Sequence, residues 1–334
     1  MKCMEKWHKV QNEILNLTKD EMHNIVITFS GGKDSTALVF AVLNAFKDSK
    51  IKPERIWIIY SNTLVDPPPL LNTAEKSLRL FQKLGKNEKI PIIPQIVVPS
   101  LKDRFWVLLI GKGYPPPSVK FRWCSERLKI RPIRNFLRRI KEKRGHYPII
   151  LTGVRLSEND NRKRKLLTRL LNGKWMKFEG LPGALVYAPL LELKTEEIWD
   201  YIKYNEKRWE VDLNYLRKLY SITSNGVNTF RTGCWVCTLV RRDRSLEKLA
   251  REEKNLQQLL ELREFLIKIR DNKNLRMTVS KNGKVYKGPL NLEVRQLLLR
   301  KIKKMQVISK EEEKLIYKLW NEFQTISKGD RVSL

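Results

Sequence analysis

The strongest constraint on the fold comes from residues 25–40, where an apolar run meets two glycines and then a second apolar run. The segment Ile25–Phe29 is mostly β-branched or aromatic, which predicts a buried parallel strand. Gly31 and Gly32 predict a tight turn into a helix that extends to about residue 46. A strand that turns through glycines into a helix directs backbone N–H groups and the positive end of the helix dipole at one point. The stretch therefore predicts an α/β fold with an anion site at this turn.

The side chains of the turn are suited to phosphate. Serine and threonine hydroxyls can donate hydrogen bonds, Lys33 adds a mobile positive charge, and Asp34 can orient water, a hydroxyl or a metal ion. An ordinary glycine-containing turn does not require this string. The spacing also differs from the longer Gly-x4-Gly-Lys-Ser/Thr loop. The residues predicted to bind a nucleotide here are Ser30, Gly31, Gly32, Lys33, Asp34, Ser35 and Thr36.

This string resembles the pyrophosphatase loop (PP-loop) of the adenine nucleotide α-hydrolase superfamily. That superfamily includes the tRNA-thiolating enzymes, GMP synthetase and the phosphoadenosine phosphosulfate (PAPS) reductases, and its members typically cut ATP between the α and β phosphates. The resemblance implies that the chain binds ATP with Mg2+ and releases pyrophosphate, and that it adenylates its substrate.

Further apolar runs predict strands near residues 55–60, 91–99, 146–152 and 186–190, and thus a doubly wound parallel sheet. Ligands of such sheets bind at the carboxyl ends of the strands. Ser61, Asn62 and Thr63 follow the second strand, although a polar exit from a strand explains them equally well. Gly153 and Arg155 follow a later strand, and Arg155 and Arg162 are candidate phosphate clamps because guanidinium forks match phosphate oxygens.

Beyond about residue 205 the strand signal largely stops. We predict a PP-loop ATP pyrophosphatase domain over residues 1–205, and a mostly helical, basic C-terminal region over residues 206–334. Three local expectations accompany this division. The prolines at 67–69 should exclude helix, Thr195 should cap the helix that follows it, and residues 246–270 should form one long helix.

The charge indicates a polyanionic partner. Sixty-seven Lys and Arg against 36 Asp and Glu give a net charge of +31, which favours DNA or RNA; a lysine-rich surface typical of the source organism is the alternative. Residues 120–144 hold eleven basic residues and two glutamates, with a helical apolar stripe. That segment predicts a helix whose basic face contacts the phosphate backbone.

The cysteines point to metal, cluster or sulfur chemistry. No apolar run reaches the ~20 residues of a membrane span, and the N-terminus has no signal peptide, so we expect a cytoplasmic protein without structural disulfides. Cys234 and Cys237 have the spacing of a zinc site, a redox dithiol or an iron–sulfur site. None of the three histidines stands at ligand spacing from this pair, which makes a zinc site the less favoured interpretation. Cys124 is either a third ligand or a small buried apolar residue.

Several motifs lie beyond the loop, namely Asn62–Asp66, the stretch from 105–107 to 113–115, Arg122–Cys124, Gly153–Arg155 and Gly233–Thr238. Together they are similar to the DNA phosphorothioation sulfurtransferases of the DndC and SspD type. These enzymes replace a non-bridging phosphate oxygen of DNA with sulfur, using ATP, a cysteine desulfurase, other phosphorothioation proteins and, in the DndC type, a four-iron cluster on four cysteines. The resemblance implies catalytic roles for Lys33, Asp34, Arg155, Cys124, Cys234 and Cys237, with the three cysteines as ligands of a 4Fe-4S cluster.

The chain departs from that pattern in two ways. Its matching regions hold only three cysteines, and the segment Ser221–Arg231 has none and is short. Three other functions stay open: a tRNA-thiolating enzyme, a PAPS reductase-like enzyme, whose usual C-terminal catalytic cysteine has no counterpart in residues 327–334, and a non-catalytic ATP-sensing DNA-binding subunit of a restriction or defence complex. The DNA motif, the strand preference, the sulfur donor and the oligomeric state are also open.

Overall fold

The computed structural model describes residues 2–18, 24–158, 160–221, 233–281 and 284–329. It divides into two compact units that are built from interleaved segments. The first unit comprises residues 1–61, 68–97 and 133–221, and the second comprises residues 62–67, 98–132 and 222–334. The boundary predicted near residue 205 is contiguous, whereas these units take segments 62–67 and 98–132 out of the N-terminal part of the chain.

The first unit contains a seven-stranded sheet with the strand order β3-β2-β1-β4-β7-β6-β5. The neighbours from β3 to β7 pair in parallel, and the edge hairpin of β5 and β6 is antiparallel. This confirms the α/β fold with a mostly parallel sheet. The strands are β1 (Ile25–Phe29), β2 (Ile56–Ser61), β3 (Ile92–Val97), β4 (Ile149–Thr152), β5 (Leu170–Asn172), β6 (Trp175–Lys177) and β7 (Leu185–Tyr187).

The opening strand lies in the interior of this sheet. Ile25 is in register with Ile56 of β2 on one side and with Ile149 of β4 on the other. Both faces of β1 are largely buried, which accounts for its unbroken apolar sequence. The helix that follows is buried along most of its length, so it is fixed against the sheet and its N-terminus is held at the end of β1.

The helices carry most of the remaining chain. The second unit has its own core, in which Trp106, Trp235 and the leucines of four C-terminal helices pack together.

The α-helices of both units are α1 (Lys2–Asn16), α2 (Lys33–Lys47), α3 (Pro68–Asn87), α4 (Arg131–Arg144), α5 (Asp160–Leu167), α6 (Thr195–Arg208), α7 (Asn214–Ser221), α8 (Arg244–Glu252), α9 (Lys254–Asp271), α10 (Leu292–Lys304) and α11 (Lys310–Gly329). A separate antiparallel hairpin is formed by β8 (Arg276–Lys281) and β9 (Lys284–Leu290).

Three local expectations were wrong. Helix α3 begins at Pro68, because the first turn of a helix has no use for the N–H that proline lacks. Thr195 is the first residue of α6 and not its cap; the N–H of Lys194 instead donates to Glu197 Oε2 at 2.7 Å. Residues 246–270 form two helices, since Glu253 adopts an extended conformation.

Some expectations concern residues outside the described ranges, namely most of the segment 221–231 and the Arg162 side chain. Within the described ranges, no helix has the length and apolar character needed to cross a membrane.

Candidate nucleotide and cysteine sites

The turn between β1 and α2 has the backbone geometry of an anion site. Gly31 has a φ of 76°, a left-handed conformation that favours glycine. A Cβ on Gly31 would lie 3.2 Å from the Cβ of Ala74 in α3. Gly32 precedes the first helical residue, so the first N–H groups of α2 point away from the helix body.

The hydroxyls of the turn are arranged by one another. Ser35 Oγ accepts the N–H of Ser30 at 3.2 Å, lies 3.1 Å from Ser30 Oγ and donates to the carbonyl of Gly32 at 3.0 Å. Thr36 is fully buried, and its hydroxyl has no hydrogen-bond partner among the described residues. An orphaned buried hydroxyl at the N-terminus of a helix fits a site that a ligand oxygen completes.

Asp34 lies between two cations. Lys33 Nζ is 3.0 Å from Asp34 Oδ2, and Arg155 Nε donates to Asp34 Oδ1 at 2.6 Å. The three side chains carry a net charge of +1, which suits a site for phosphate. Arg155 is only 1% exposed, so its charge depends on the paired carboxylate for compensation.

The remaining donors of Arg155 are directed at protein acceptors. Its Nη1 donates to Ser157 Oγ at 2.7 Å and to the carbonyl of Leu193 at 3.0 Å, and its Nη2 lies 3.4 Å from Thr195 Oγ1. The described geometry therefore gives Arg155 the role of orienting Asp34, while its predicted direct contact with phosphate stays a prediction.

Gly153 lies directly against the loop. A Cβ at this position would lie 3.1 Å from the backbone of Asp34, which explains why a glycine is found there.

Tyr220 is a residue of this site that the sequence analysis missed. Its hydroxyl accepts the N–H of Lys33 at 2.8 Å, and its ring lies 5.3 Å from Lys33 Nζ. The ring also packs edge-on against Trp199 at 5.0 Å. Because Tyr220 lies 187 residues from Lys33, no local motif contains both of them.

The polar residues after β2 take different places. Ser61 is the last residue of β2, whereas Asn62 and Thr63 belong to the second unit. Asn62 Oδ1 accepts the N–H of Leu64 at 2.8 Å. Thr63 is buried, and its Oγ1 lies 3.3 Å from Cys234 Sγ. The structure thus brings Thr63 to the cysteines, and the nucleotide contacts of Ser61, Asn62 and Thr63 stay predictions.

Cys124, Cys234 and Cys237 all lie in the second unit and are all partly exposed. All three interact electrostatically with Lys129, and Cys237 interacts with each of the other two. Cys124 precedes a π-helical turn over Ser125–Ile130. In an α-helix, residues five apart point about 140° away from each other, whereas the i→i+5 bonding of a π-helix brings them to one side. This turn therefore places Lys129 near Cys124.

Burial keeps two of the thiols protonated at neutral pH. It raises the pKa of Cys234 to about 12, although the Lys129 ammonium and the Thr63 hydroxyl act in the opposite direction and Asp66 adds to the rise. Burial likewise raises the pKa of Cys124. The electrostatic interactions with Cys234 and, to a smaller extent, Asp66 raise the pKa of Lys129 against the effect of burial. Lys129 itself lies at an exposed position.

Bonds from distant segments hold the Cys-x-x-Cys turn in place. The N–H of Trp235 donates to the carbonyl of Val65 at 3.0 Å, and Thr238 Oγ1 donates to the carbonyl of Pro117 at 2.6 Å. Arg263, 1% exposed, donates to the carbonyls of Cys237 at 2.9 Å, Val240 at 2.6 Å and Arg241 at 3.2 Å. Sequence patterns do not reveal such partners, because the acceptors are backbone carbonyls.

The helix that follows Cys124 is anchored by a buried carboxylate. Asp103 accepts from Arg127 at 2.8 Å and from Arg131 at 3.1 Å, and Ser100 Oγ donates to it at 3.0 Å. Burial raises the pKa of Asp103, but the hydrogen bonds from Ser100 and Arg127 and the charge of Arg131 outweigh it and leave that pKa below its usual value.

The predicted cluster can be tested against this donor set. Thiols are the ligands that iron–sulfur clusters require, and three of them are grouped here. In the described part of the chain, however, no three His, Cys, Asp or Glu side chains stand at metal-binding spacing. The side-chain positions therefore do not fit a preformed metal site, ligation by Cys124, Cys234 and Cys237 stays a prediction, and no step below depends on it.

Several known proteins are similar to this chain. An uncharacterized protein of Methanocaldococcus jannaschii is 25% identical over 230 residues, which make up 68% of this chain and 38% of that protein. The chain thus matches less than half of the length of that relative. Among solved structures, the PAPS reductase of Candida auris in its phosphate complex has 17% identity and a TM-score of 0.41, covering 67% of this chain and 88% of that one.

Two further solved structures are similar. The NAD+ synthetase of Burkholderia pseudomallei has 11% identity, a TM-score of 0.42 and coverage of 91% of this chain and 88% of that one. The U34-tRNA thiolase NcsA of Methanococcus maripaludis, solved with its [4Fe-4S] cluster, has 12% identity, a TM-score of 0.39 and coverage of 79% of each chain. The family model of the phosphoadenosine phosphosulfate reductase domain matches residues 24–240. The chain therefore belongs to the phosphoadenosine phosphosulfate reductase domain family, within the PP-loop superfamily.

Proposed function

We propose that this chain is an ATP-dependent sulfurtransferase of DNA phosphorothioate modification, which adenylates a phosphate oxygen of DNA and replaces it with sulfur. The observation that carries the proposal is the presence of two sites in one chain. One is the turn of residues 30–36 between β1 and α2, the phosphate loop, in which Asp34 pairs with both Lys33 and Arg155. The other is a group of three partly exposed cysteines around Lys129. A phosphodiester oxygen is a very poor leaving group, and adenylation removes that obstacle.

The first step uses the loop. A non-bridging oxygen of the DNA phosphate attacks the α-phosphorus of ATP, which arrives as its Mg2+ complex. The new O–P bond forms as the bond between the α-phosphorus and the bridging oxygen breaks, and pyrophosphate leaves with the electron pair. The N–H groups and hydroxyls of the turn, together with Lys33, stabilise the charge that develops on the leaving group. Arg155 holds Asp34, and Asp34 positions Lys33.

The second step uses the thiols. A cysteine desulfurase delivers a sulfur atom as a persulfide on one cysteine, and its terminal sulfur attacks the activated phosphorus so that AMP leaves. A neighbouring thiolate then breaks the sulfur–sulfur bond, which leaves sulfur on the DNA phosphate and a disulfide on the protein. An external dithiol reduces that disulfide. Cys234 and Cys237 suit this pairing because the N–H of Cys237 bonds to the carbonyl of Cys234 at 2.9 Å, closing one tight turn.

A second candidate function is sulfonucleotide reduction, which the match to the PAPS reductase domain model favours. Such an enzyme releases sulfite from PAPS and splits no pyrophosphate from ATP. The two candidates therefore differ in their products, and each can be measured on the same preparation.

The experiment combines nucleic-acid mass spectrometry with product analysis. DNA and tRNA from cells that carry the chain with its neighbouring genes are digested by nucleases, and the purified protein is supplied with ATP or with PAPS. We expect phosphorothioate dinucleotides and release of pyrophosphate. Cys234→Ser should abolish the dinucleotides while ATP binding persists, and Cys3→Ser is the matched control. Thiolated tRNA bases without phosphorothioate, formation of ADP, or sulfite released from PAPS would each contradict the proposal.

A further inference from the structure

A rigid, exposed turn precedes Cys124 in the second unit. The N–H of Ser118 donates to the carbonyl of Phe121 at 3.3 Å, and the N–H of Phe121 donates back to the carbonyl of Ser118 at 3.1 Å. On one side of the turn are three prolines, and on the other Trp123 Nε1 donates to the carbonyl of Pro115 at 3.0 Å. The backbone of the turn is thus fixed before any ligand binds.

The turn presents apolar and cationic side chains to solvent. Val119 is 76% exposed and Phe121 is 44% exposed, while Lys120 and Arg122 are also exposed. Single exposed apolar residues are common on proteins, but here two of them alternate with two cations. Residues 111–125 contain three basic residues and no acidic one, so the local charge is complementary to a polyanion.

Phe121 is held by other aromatic rings. Its ring lies 5.9 Å from that of Tyr114, which packs edge-on against Trp123 at 5.6 Å. Trp123 in turn stacks on the buried Phe105 at 5.3 Å. The exposed ring is therefore supported from the core of its unit, and little conformational freedom is lost when a flat ligand stacks on it.

We propose that the turn Ser118–Arg122 binds a single-stranded stretch of DNA, with a base stacked on Phe121 and the neighbouring phosphates at Lys120 and Arg122. Aromatic rings interleaved with cations are the means by which proteins bind unpaired strands. In a duplex the faces of the bases are covered by their neighbours, so a ring can stack only on a base that has left the helix. The identity of the polymer as DNA rests on the proposed function; the preference for an unpaired strand rests on the turn.

The turn is also close in sequence to one cysteine of the proposed sulfur transfer, because Arg122 is only two residues from Cys124. A strand seated on Phe121 is anchored at a segment that leads directly to one of the thiols. This gives a reason for the sequence Phe121-Arg122-Trp123-Cys124, in which the cation and the cysteine are separated by a buried tryptophan.

The test measures binding of a fluorescently labelled oligothymidylate and of a duplex of the same length by anisotropy. Phe121→Ala should weaken binding of the single strand about 5- to 100-fold and leave duplex binding nearly unchanged. Phe121→Tyr keeps an aromatic ring and should restore single-strand binding. Tyr317→Ala is the matched control, since Tyr317 has the same 44% exposure but lies on helix α11, away from the turn in sequence. The thermal unfolding midpoint of each variant checks that it folds.

Three outcomes would overturn the inference: single-strand binding by Phe121→Ala equal to wild type, an equal loss of duplex binding, or a loss in Phe121→Tyr as large as in Phe121→Ala. Tighter binding of the same-length ribo-oligomer would also overturn the assignment to DNA. The two proposals fail separately. If wild-type cells contain phosphorothioate but Phe121→Ala binds normally, only the inference on the turn fails. If the Phe121 effect is found but no phosphorothioate forms, only the proposed function fails.

Discussion

The phosphate loop and the cysteine group differ in how their parts are distributed along the chain. Consecutive residues 30–36 supply the turn, the hydroxyls and the lysine of the loop. The cysteine group instead draws on segments 62–67, 124–129 and 233–238, with Arg263 on α9 as a support. The backbone of the loop is determined mainly by its own sequence and by the strand before it, with Arg155 and Tyr220 as distant partners. The cysteine group instead exists only when distant segments have folded together.

This difference has an energetic consequence. A local turn loses little when one distant contact is removed, because its backbone geometry is set by glycine and by helix formation. A site assembled from separate segments depends on each bond that joins them. The predictions below separate the two sites on this basis.

The largest expected effect follows from Arg263→Met. The substitution removes the three hydrogen bonds from Arg263 to the carbonyls after the cysteine pair, and the loss of three bonds from a charged donor should cost about 3–5 kcal/mol of unfolding free energy. Urea unfolding followed by tryptophan fluorescence measures it. Lys268→Met, at an exposed position of the same helix, is the control, and equal stabilities of the two variants would contradict the supporting role of Arg263.

The next effect concerns the loop alone. Lys33→Met removes the cation beside Asp34 and should slow pyrophosphate release about 100-fold, as the loss of one preorganised charge-stabilising donor does elsewhere. Alkylation of the three thiols by iodoacetamide should be unchanged. Lys47→Met, at the other end of the same helix, is the control. Pyrophosphate release at the wild-type rate would rule out this role for Lys33.

A smaller effect is expected at the anchor of the Cys124 segment. Asp103→Asn weakens the hydrogen bonds to two arginines. It should lower the free energy of unfolding by about 1–3 kcal/mol at pH 7. Because the folded state lowers the pKa of Asp103 below 3.8, its stabilisation is present above that pH and is lost as the pH falls further. The stability difference between wild type and variant, from urea unfolding at pH 7 and pH 3, should therefore shrink in acid.

The control for Asp103→Asn is Asp48→Asn, whose carboxylate is largely exposed. That variant should differ little from wild type at either pH. A difference between wild type and Asp103→Asn that stays constant from pH 7 to pH 3 would show that the carboxylate does not stabilise the fold through its ionised form.

The sequence predicted the loop well and the cysteine surroundings poorly, for physical reasons. The strand, glycines and helix of the loop are contiguous, and their periodicity and burial predict β1, the turn and α2 directly. The spacing of Lys129 from Cys124 does not by itself bring the two side chains together, because an α-helix would turn them apart and only the π-helical turn reverses this. Arg263 donates to backbone carbonyls and Tyr220 accepts a backbone N–H, in each case from a residue far away in sequence. Backbone groups leave no trace in the residue pattern.

The smallest effect gives the sharpest comparison, because the same substitution is made in each site. Gly31→Ala forces alanine into a φ of 76° and brings its Cβ to 3.2 Å from the Cβ of Ala74. This strain should lower the free energy of unfolding by about 1–2 kcal/mol. Gly233→Ala, directly before Cys234, meets no described atom within 4 Å, so its unfolding free energy should change by less than about 0.5 kcal/mol.

Urea unfolding and ATP titration of both variants measure this contrast. We expect only Gly31→Ala to bind ATP more weakly, because its strain falls on the turn that directs the N–H groups of α2 at the ligand. Equal losses of unfolding free energy and of ATP affinity in the two variants would mean that the left-handed glycine does not stabilise the loop. A larger loss in Gly233→Ala would mean that the cysteine turn, and not the loop, depends on its own local backbone, which would reverse the distinction between the two sites.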